Sequence, residues 1–339
     1  MKISNITIAY NLKDKSRTDD LHEEYDEIET VLALKEEIGS KGFNVNILKQ
    51  DKDFPKKIYE KKPDLVVNIA EGVGSTRSRE SQVPCVLESL GIPYSGSDPL
   101  SLGITLDKYL TNIILKNAGV PVPEAFVISG IEDIKKHRET FSKKEAWIVK
   151  PRWEGSSKGV FLDSVVSDED ALKKKAEKVW MLYSQPAIVE EFLSGDEITV
   201  GICGNKDPYV LGMMKISPRK PRERFVYSIE EKRNWEQGIV YEGENAVPDG
   251  VRTAIGRHAI EAFRALSLRD VARVDFRLDR SLTPRIIDIN PLPGLSPRYS
   301  DLMLMSRLSQ RGYSELITRI MKAVFERYNA EFPSSRYSQ

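Results

Sequence analysis

Hydrophobic and polar positions alternate with period two over Val271–Leu278 and again over Arg285–Asn290. That period predicts two strands. Arg273 and Asp275 then share one face of the first, with Ala272, Val274, Phe276 and Leu278 on the other. On the second, Asp288 and Asn290 share a face, and Ile287 and Ile289 lie opposite. The connecting segment Asp279–Pro284 is rich in turn formers and predicts a hairpin. If the hairpin is symmetric, Asp275 faces Asp288 and Arg273 faces Asn290, roughly 5 Å apart. Two carboxylates and an amide oxygen beside a guanidinium suit magnesium, a hard cation that takes oxygen ligands and substrate phosphates. A half-buried hairpin with a solvated charged face accounts for this pattern equally well when it is taken alone.

The first hundred residues alternate strand and helix patterns. Ile6–Tyr10, Phe43–Leu48 and Leu65–Ala70 read as strands, the last apolar almost throughout, as in a parallel strand buried on both faces. Residues 20–40 predict an amphipathic helix with Ile28, Val31, Leu32 and Ile38 on one side, closed by Gly39 and Gly42. Such alternation predicts an open α/β layer. No glycine follows the first strand through Lys15, which excludes the dinucleotide fingerprint and with it a nicotinamide enzyme. A linker-like stretch, Gly91–Pro99, leads to a helix carrying Leu106, Leu110, Ile113 and Ile114, stopped at Gly119–Pro123. Strands are expected at Ala146–Lys150, Val160–Leu162, Ala187–Phe192 and Ile198–Cys203, and helices over 250–266 and 313–328. The polar end of the chain reads as a disordered tail.

Composition narrows the class. The 339 residues hold 51 Lys plus Arg against 51 Asp plus Glu, so no net charge favours nucleic acid or a membrane surface. No apolar run approaches the ~20 residues of a membrane span. Cys85 and Cys203 lie far apart, in apolar settings and without metal-ligand spacing, consistent with a reduced, cytoplasmic setting. His22, His137 and His258 have no partner motif, and no nucleophile elbow is present.

Three further segments could carry chemistry. Lys150 precedes a loop containing Gly155, Ser156, Ser157 and Gly159, whose amides and hydroxyls could form an anion nest; a plain turn is the alternative. It is not a Walker loop, since the required Gly-Lys-Ser/Thr spacing is missing. Glu190 and Glu197 flank a turn with Phe192 and Leu193 between them, and could hold a ribose beside a stacked base or simply face solvent. The charged segment 217–244, with Arg219, Lys220, Arg222, Arg224, Lys232 and Arg233, has the length of a functional lid and the polarity of a solvated surface.

In chain order, these pieces resemble the ATP-grasp superfamily in its D-alanine–D-alanine ligase branch. The likeness runs over about residues 65–320, through Gly96–Asp98, Leu106–Lys108, Val149–Gly159, Glu190–Glu197, Arg273–Asp275 and Asp288–Gly294. It implies an ATP-grasp fold (mixed α/β and α+β) behind an N-terminal open α/β domain. Its divisions are expected at 1–104, 105–193, 194–328 and a tail over 329–339.

The implied activity is ATP-dependent amide formation between a small carboxylate and an amine through an acyl phosphate. By resemblance Lys108 and Lys150 contact the nucleotide, Gly155, Ser156 and Ser157 close over its phosphates, Glu190, Phe192 and Leu193 face adenine, and Glu197 holds the ribose. Asp275, Asp288 and Asn290 would hold two Mg2+ (or Mn2+) ions, with Asp288 standing where the family usually has glutamate. Lys232 would lie near the transferred phosphate, Arg273 and the Gly294 amide would stabilise a tetrahedral intermediate, and Ser156 would act at the substrate. A homodimer through the first domain is also implied.

Departures concern the substrate. No glutamate lies in Tyr10–Lys15, Arg233 replaces a tyrosine, Tyr299 and Ser300 replace a serine-leucine pair, and Glu71 begins a segment that is His-Gly in the family. Arg77, Arg79, Arg219, Arg222 and Arg298 suggest an acidic or larger substrate. Two other readings are a genuine D-alanine–D-alanine ligase and a catalytically silent ATP-binding regulatory module.

Overall fold

The computed structural model describes residues 1–14, 16, 19–20, 22–222 and 224–333. Three sheets organise the chain. The first is parallel, in the order β2-β1-β3, from β1 (Asn5–Tyr10), β2 (Asn44–Lys49) and β3 (Leu65–Ile69). All five residues of β3 are buried, as its unbroken apolar pattern requires. The second sheet is antiparallel, in the order β4-β7-β5-β6, from β4 (Ala125–Ile128), β5 (Trp147–Pro151), β6 (Val165–Val166) and β7 (Ala187–Glu191). The third, also antiparallel, runs β10-β9-β8-β11-β12, from β8 (Glu197–Cys203), β9 (Tyr209–Pro218), β10 (Ile239–Gly243), β11 (Val271–Leu278) and β12 (Pro284–Asn290).

One core joins the two ends of the chain. Ile6, Ile8, Val67 and Phe43 of the first layer share a buried cluster with Met214, Cys203 and the C-terminal helix Tyr313–Arg327. Phe325 packs 5.4 Å from Phe43, and Phe332 packs 5.1 Å from Phe325. The start of the expected tail is therefore seated on this core, while 334–339 lie outside the described residues. A separate core under the third sheet brings Ile198, Val200, Val274 and Phe276 against the helix Asp249–Ala265.

Several local expectations are corrected. The first helix spans Ile28–Ser40, so the acidic run before it is irregular, and Leu32 is exposed. Val160–Leu162 is not a strand: a left-handed Gly159 turns the chain, and a 3-10 turn at Leu162–Ser164 precedes β6. Gly91–Pro99 is anchored, not loose. Tyr94 bridges Val66, and the Gly96 amide donates to Asp270, whose carboxylate also takes the Arg327 guanidinium. Cys85 is exposed and Cys203 buried, and both are free.

The predicted hairpin has the expected register where the chemistry lies. Asp275 pairs with Asp288 and Arg273 with Asn290. A bulge after Asp275 puts Phe276 opposite Ile286, leaving Ile287 as the extra residue. Ile286 consequently enters the core, and Ile287 lines the same cleft as Asp288.

Candidate active site

A cleft lies between the second and third sheets. Ile148 and Lys150 of β5 meet Glu197 of β8, Ile216 of β9, Arg273 and Asp275 of β11, and Asp288 of β12. Ile148, Val160, Ile216, Val226 and Ile287 give it apolar lining among its charged and polar side chains. Lys108 enters at the start of the helix Lys108–Asn117, whose N-cap Asp107 accepts two hydrogen bonds from Arg152 at 2.7 and 2.8 Å. That clamp fixes the base of the Lys108 side chain.

The charges are arranged in opposed pairs. Lys108 Nζ donates to Asp288 Oδ1 at 2.8 Å. Burial raises the Asp288 carboxyl, but Lys108 and Lys150 outweigh it and hold the group below its usual range. Arg273 donates to both Asp275 oxygens, with its third nitrogen 2.9 Å from Asp301. Burial disfavours the Arg273 charge, but these two carboxylates more than restore it. Lys232 sits 5.1 Å over the Tyr227 ring, and burial together with Arg273 pushes its ammonium down. Lys150 pairs with the buried Glu190, which also accepts from Asn112 at 3.0 Å. Burial pushes the Glu197 carboxyl up despite Arg277.

The loop after β5 is the most constrained part. Ser156 and Ser157 have φ of 48° and 60°, in the left-handed region, and Gly159 has φ of 71°. A Cβ on Gly159 would come within 2.3 Å of the Pro151 ring, so glycine is required. Two carboxylates from the irregular N-terminal segment dock on this loop. Glu24 accepts from the Gly155 amide at 2.6 Å, and Asp20 from the Gly159 amide at 3.0 Å. Beneath the loop, Glu24, Arg79, Glu154 and Lys158 form a buried ion cluster. Burial raises the Glu24 carboxyl, but Arg79 and Lys158 hold it at about 2.

A larger cavity of about 390 Å³ opens beside the cleft and shares Tyr227, Lys232, Arg273 and Asp301 with it. Ser156, Asn290 and Gly294 line this side. Gly155 lies in the recess beside it, with Ser156, Asp288 and Asn290. Phe192 and Leu193 line a different cavity with Lys144 and Glu191. Arg277, over the Phe192 ring at 5.1 Å, stands between that cavity and the cleft. The structure thus brings Lys108, Lys150, Ser157, Glu197, Lys232, Arg273, Asp275 and Asp288 to one cleft, and Ser156, Asn290 and Gly294 to the adjoining one.

The arginine group expected to meet substrate does not form. Arg79 is buried under the loop, Arg222 pairs with Glu231, and Arg219 reaches the Glu236 and Ile239 carbonyls. Sequence reasoning missed Glu24, Glu154, Lys158 and Asp301. The signal for Glu24 was the break in apolar periodicity over residues 22–27.

Two antiparallel sheets closing on a lysine-lined cleft, with paired carboxylates on the last hairpin, define the ATP-grasp class of ATP-dependent ligases, which form carbon–nitrogen bonds. Residues 114–322 match the family model described as "D-ala D-ala ligase C-terminus". The chain is 31% identical over 271 residues to the uncharacterized protein y4sG of Sinorhizobium fredii, covering 78% of this chain and 75% of that one. It is 32% identical over 250 residues to the D-alanine–D-alanine ligase of Chlorobaculum tepidum, covering 71% and 65%. The D-alanine–D-alanine ligase structure from Bacillus anthracis complexed with ATP superposes with a TM-score of 0.74 at 20% identity, over 97% of this chain and 99% of that one. The chain belongs to the D-alanine–D-alanine ligase family. It is an ATP-dependent carboxylate–amine ligase acting on small molecules. No helix among the described residues is long and apolar enough to cross a membrane.

Proposed function

We propose that the chain activates a small amino-acid or peptide-like carboxylate as its acyl phosphate and joins it to an amine in the two adjoining cavities. The observation that carries this reading is the β11–β12 register, which puts Asp275 opposite Asp288 in the cleft and Arg273, shared by both spaces, opposite Asn290 of the adjoining cavity.

In this reading the apolar lining of the cleft receives adenine, and Glu197 the ribose. Lys108 and Lys150 meet the phosphates, and the loop through Gly155, Ser156 and Ser157 covers them. Oxygen-only donors at Asp275, Asp288 and Asn290 fit Mg2+, and Asp288 is held ionised by its lysine neighbours. Among the described residues no group of three or more His, Cys, Asp or Glu is gathered for a metal. Two carboxylates completed by substrate phosphates is how magnesium is commonly bound. When bound, the ions would neutralise charge on the transferred phosphoryl group.

The protein's own cations do the rest. Lys232, its charge disfavoured by burial, is positioned for the phosphoryl oxygens. Arg273 and the Gly294 amide would stabilise the tetrahedral oxyanion, since fixed donors of this kind stabilise charge without reorganising. Asp275 and Asp301 hold the Arg273 guanidinium in a fixed plane.

Phosphate release from Mg-ATP tests the reading, measured with D- and L-amino acids singly and in pairs. Release that requires one particular acid and one particular amine is expected. Nucleotide binding with no release under any pair would favour a regulatory module.

A further inference from the structure

The larger cavity has electrically distinct ends. Lys232 and Arg273 lie at the end next to the cleft, and Asp26 and Glu71 lie on the wall built by the N-terminal layer. Several of the other charges there are paired. Lys13 and Arg233 both pair with Glu23, at 3.1 and 2.8 Å, and Glu24 is paired with Arg79 and Lys158. The side-chain carboxylates of Asp26 and Glu71 have no hydrogen-bond or ion-pair partner among the described residues, the Asp26 backbone carbonyl alone accepting from the Lys13 amide at 2.9 Å.

A third carboxylate extends the same wall. Glu80 is 7% exposed, has no hydrogen-bond or ion-pair partner among the described residues, and lines the adjoining recess together with Glu71, Ser156 and Asn290. Arg79, the nearest cation in sequence, is committed to Glu24 and Glu154, and Lys108, which also lines the recess and draws the Glu80 carboxyl down, donates to Asp288. Burying carboxylates without a counter-ion is costly, and the strain shows in their acidity. Burial pushes Asp26 up to about 7, and burial with the neighbouring Glu24 pushes Glu80 to about 8 against the pull of Arg79. Burial, Glu80 and Glu24 push Glu71 well above the usual carboxylate range. A cation with its charges spread along a chain would answer such a wall.

We propose that Asp26, Glu71 and Glu80 form the recognition wall for a carboxylate substrate carrying two ammonium groups, a diamino acid in place of a simple α-amino acid. Its carboxylate would point to Lys232 and Arg273, and its ammonium groups to the acidic wall. This orientation rests on the ligase reading above. The cavity volume lies within the range of small-molecule sites, and its lining includes the aromatic side chains of Tyr25, Trp235 and Tyr299, a residue type that attracts alkylammonium groups. Glu71 is central, since it lines both the cavity and the recess.

Calorimetric titration in the presence of Mg2+ and a non-hydrolysable ATP analogue tests the assignment. Ornithine, lysine and 2,4-diaminobutyrate, in both stereoisomers, are compared with norvaline, norleucine and 2-aminobutyrate. At least tenfold tighter binding of one diamino acid than of its monoamino counterpart is expected. The preference should fall below about twofold in Glu71→Gln and in the Asp26→Asn/Glu71→Gln pair, while the affinity for the analogue, which reports the fold, is kept. Equal affinities in the unaltered protein, no binding of any diamino acid, or a preference that survives both substitutions would overturn the proposal. Phosphate release with ATP in parallel samples separates the two readings. A diamino acid bound through Glu71 without any turnover would remove the ligase reading and leave the recognition wall in place.

Discussion

Replacing Asp275 by alanine is expected to lower kcat by roughly 10²–10³-fold, the scale on which single electrostatic stabilisers of a transition state contribute, or about 3–4 kcal/mol of barrier. The fold should survive the change. Asp275 is held by Thr199 and Arg273 on the cleft face of the hairpin, while the packing of β11 comes from Val274 and Phe276 on the opposite face. Arg273 keeps Asp301 at 2.9 Å, so its buried charge is not left alone. Steady-state turnover and nucleotide affinity measured side by side check the prediction. A ligase loses turnover while it still binds the adenine end of the nucleotide. A regulatory module would show no comparable loss in its output.

Replacing Arg79 by methionine should cost about 3 kcal/mol of stability, the lower end of what breaking a buried ion pair costs. Arg79 is 1% exposed and bridges Glu24 and Glu154, with its Nη1 also on the Trp153 carbonyl at 2.8 Å. Lys158 still touches both carboxylates, which keeps the loss from being larger. The pH dependence has a definite sign. Glu24 titrates at about 2 in the folded protein, below its ordinary value of 4.5, so it contributes stability at neutral pH that is lost as pH falls through that window. Without Arg79 the Glu24 carboxyl rises and takes up its proton earlier. The gap between the two proteins should therefore be widest above pH 5 and narrow toward pH 3. Denaturant unfolding at several pH values measures it, and a gap independent of pH would show that Arg79 acts through packing alone.

These effects trace how far the sequence could be read. The strand pairing at the site was legible because alternation has a strict period and the turn residues between the two strands bound its length. The bulge beside Asp275 was not legible. It displaces the near-turn register by one residue, and nothing in Arg285–Asn290 marks Ile287 as the residue that turns into the cleft. The loop after β5 was readable from its glycines and serines, which tolerate or resist a left-handed backbone in recognisable ways.

The partners of that loop were hidden for a different reason. Glu24 and Gly155 are separated by 131 residues, and only tertiary folding reveals that a carboxylate docks on that amide. The misreading of Arg79 as a substrate contact has the same origin. A charged residue in a loop carries no local mark of whether it will face solvent or be sealed under another loop. Likewise the acidic wall of Asp26, Glu71 and Glu80 is assembled from separate segments, so its charge balance exists only in three dimensions.

The most direct test of the account follows an oxygen atom. If the carboxylate substrate is phosphorylated before the amine attacks, one carboxylate oxygen must leave with the inorganic phosphate. Turnover with an ¹⁸O-labelled carboxylate substrate, read by mass spectrometry of the phosphate, is predicted to place one label in each phosphate released. Phosphate that carries no label, alongside amide product, would contradict the acyl-phosphate route.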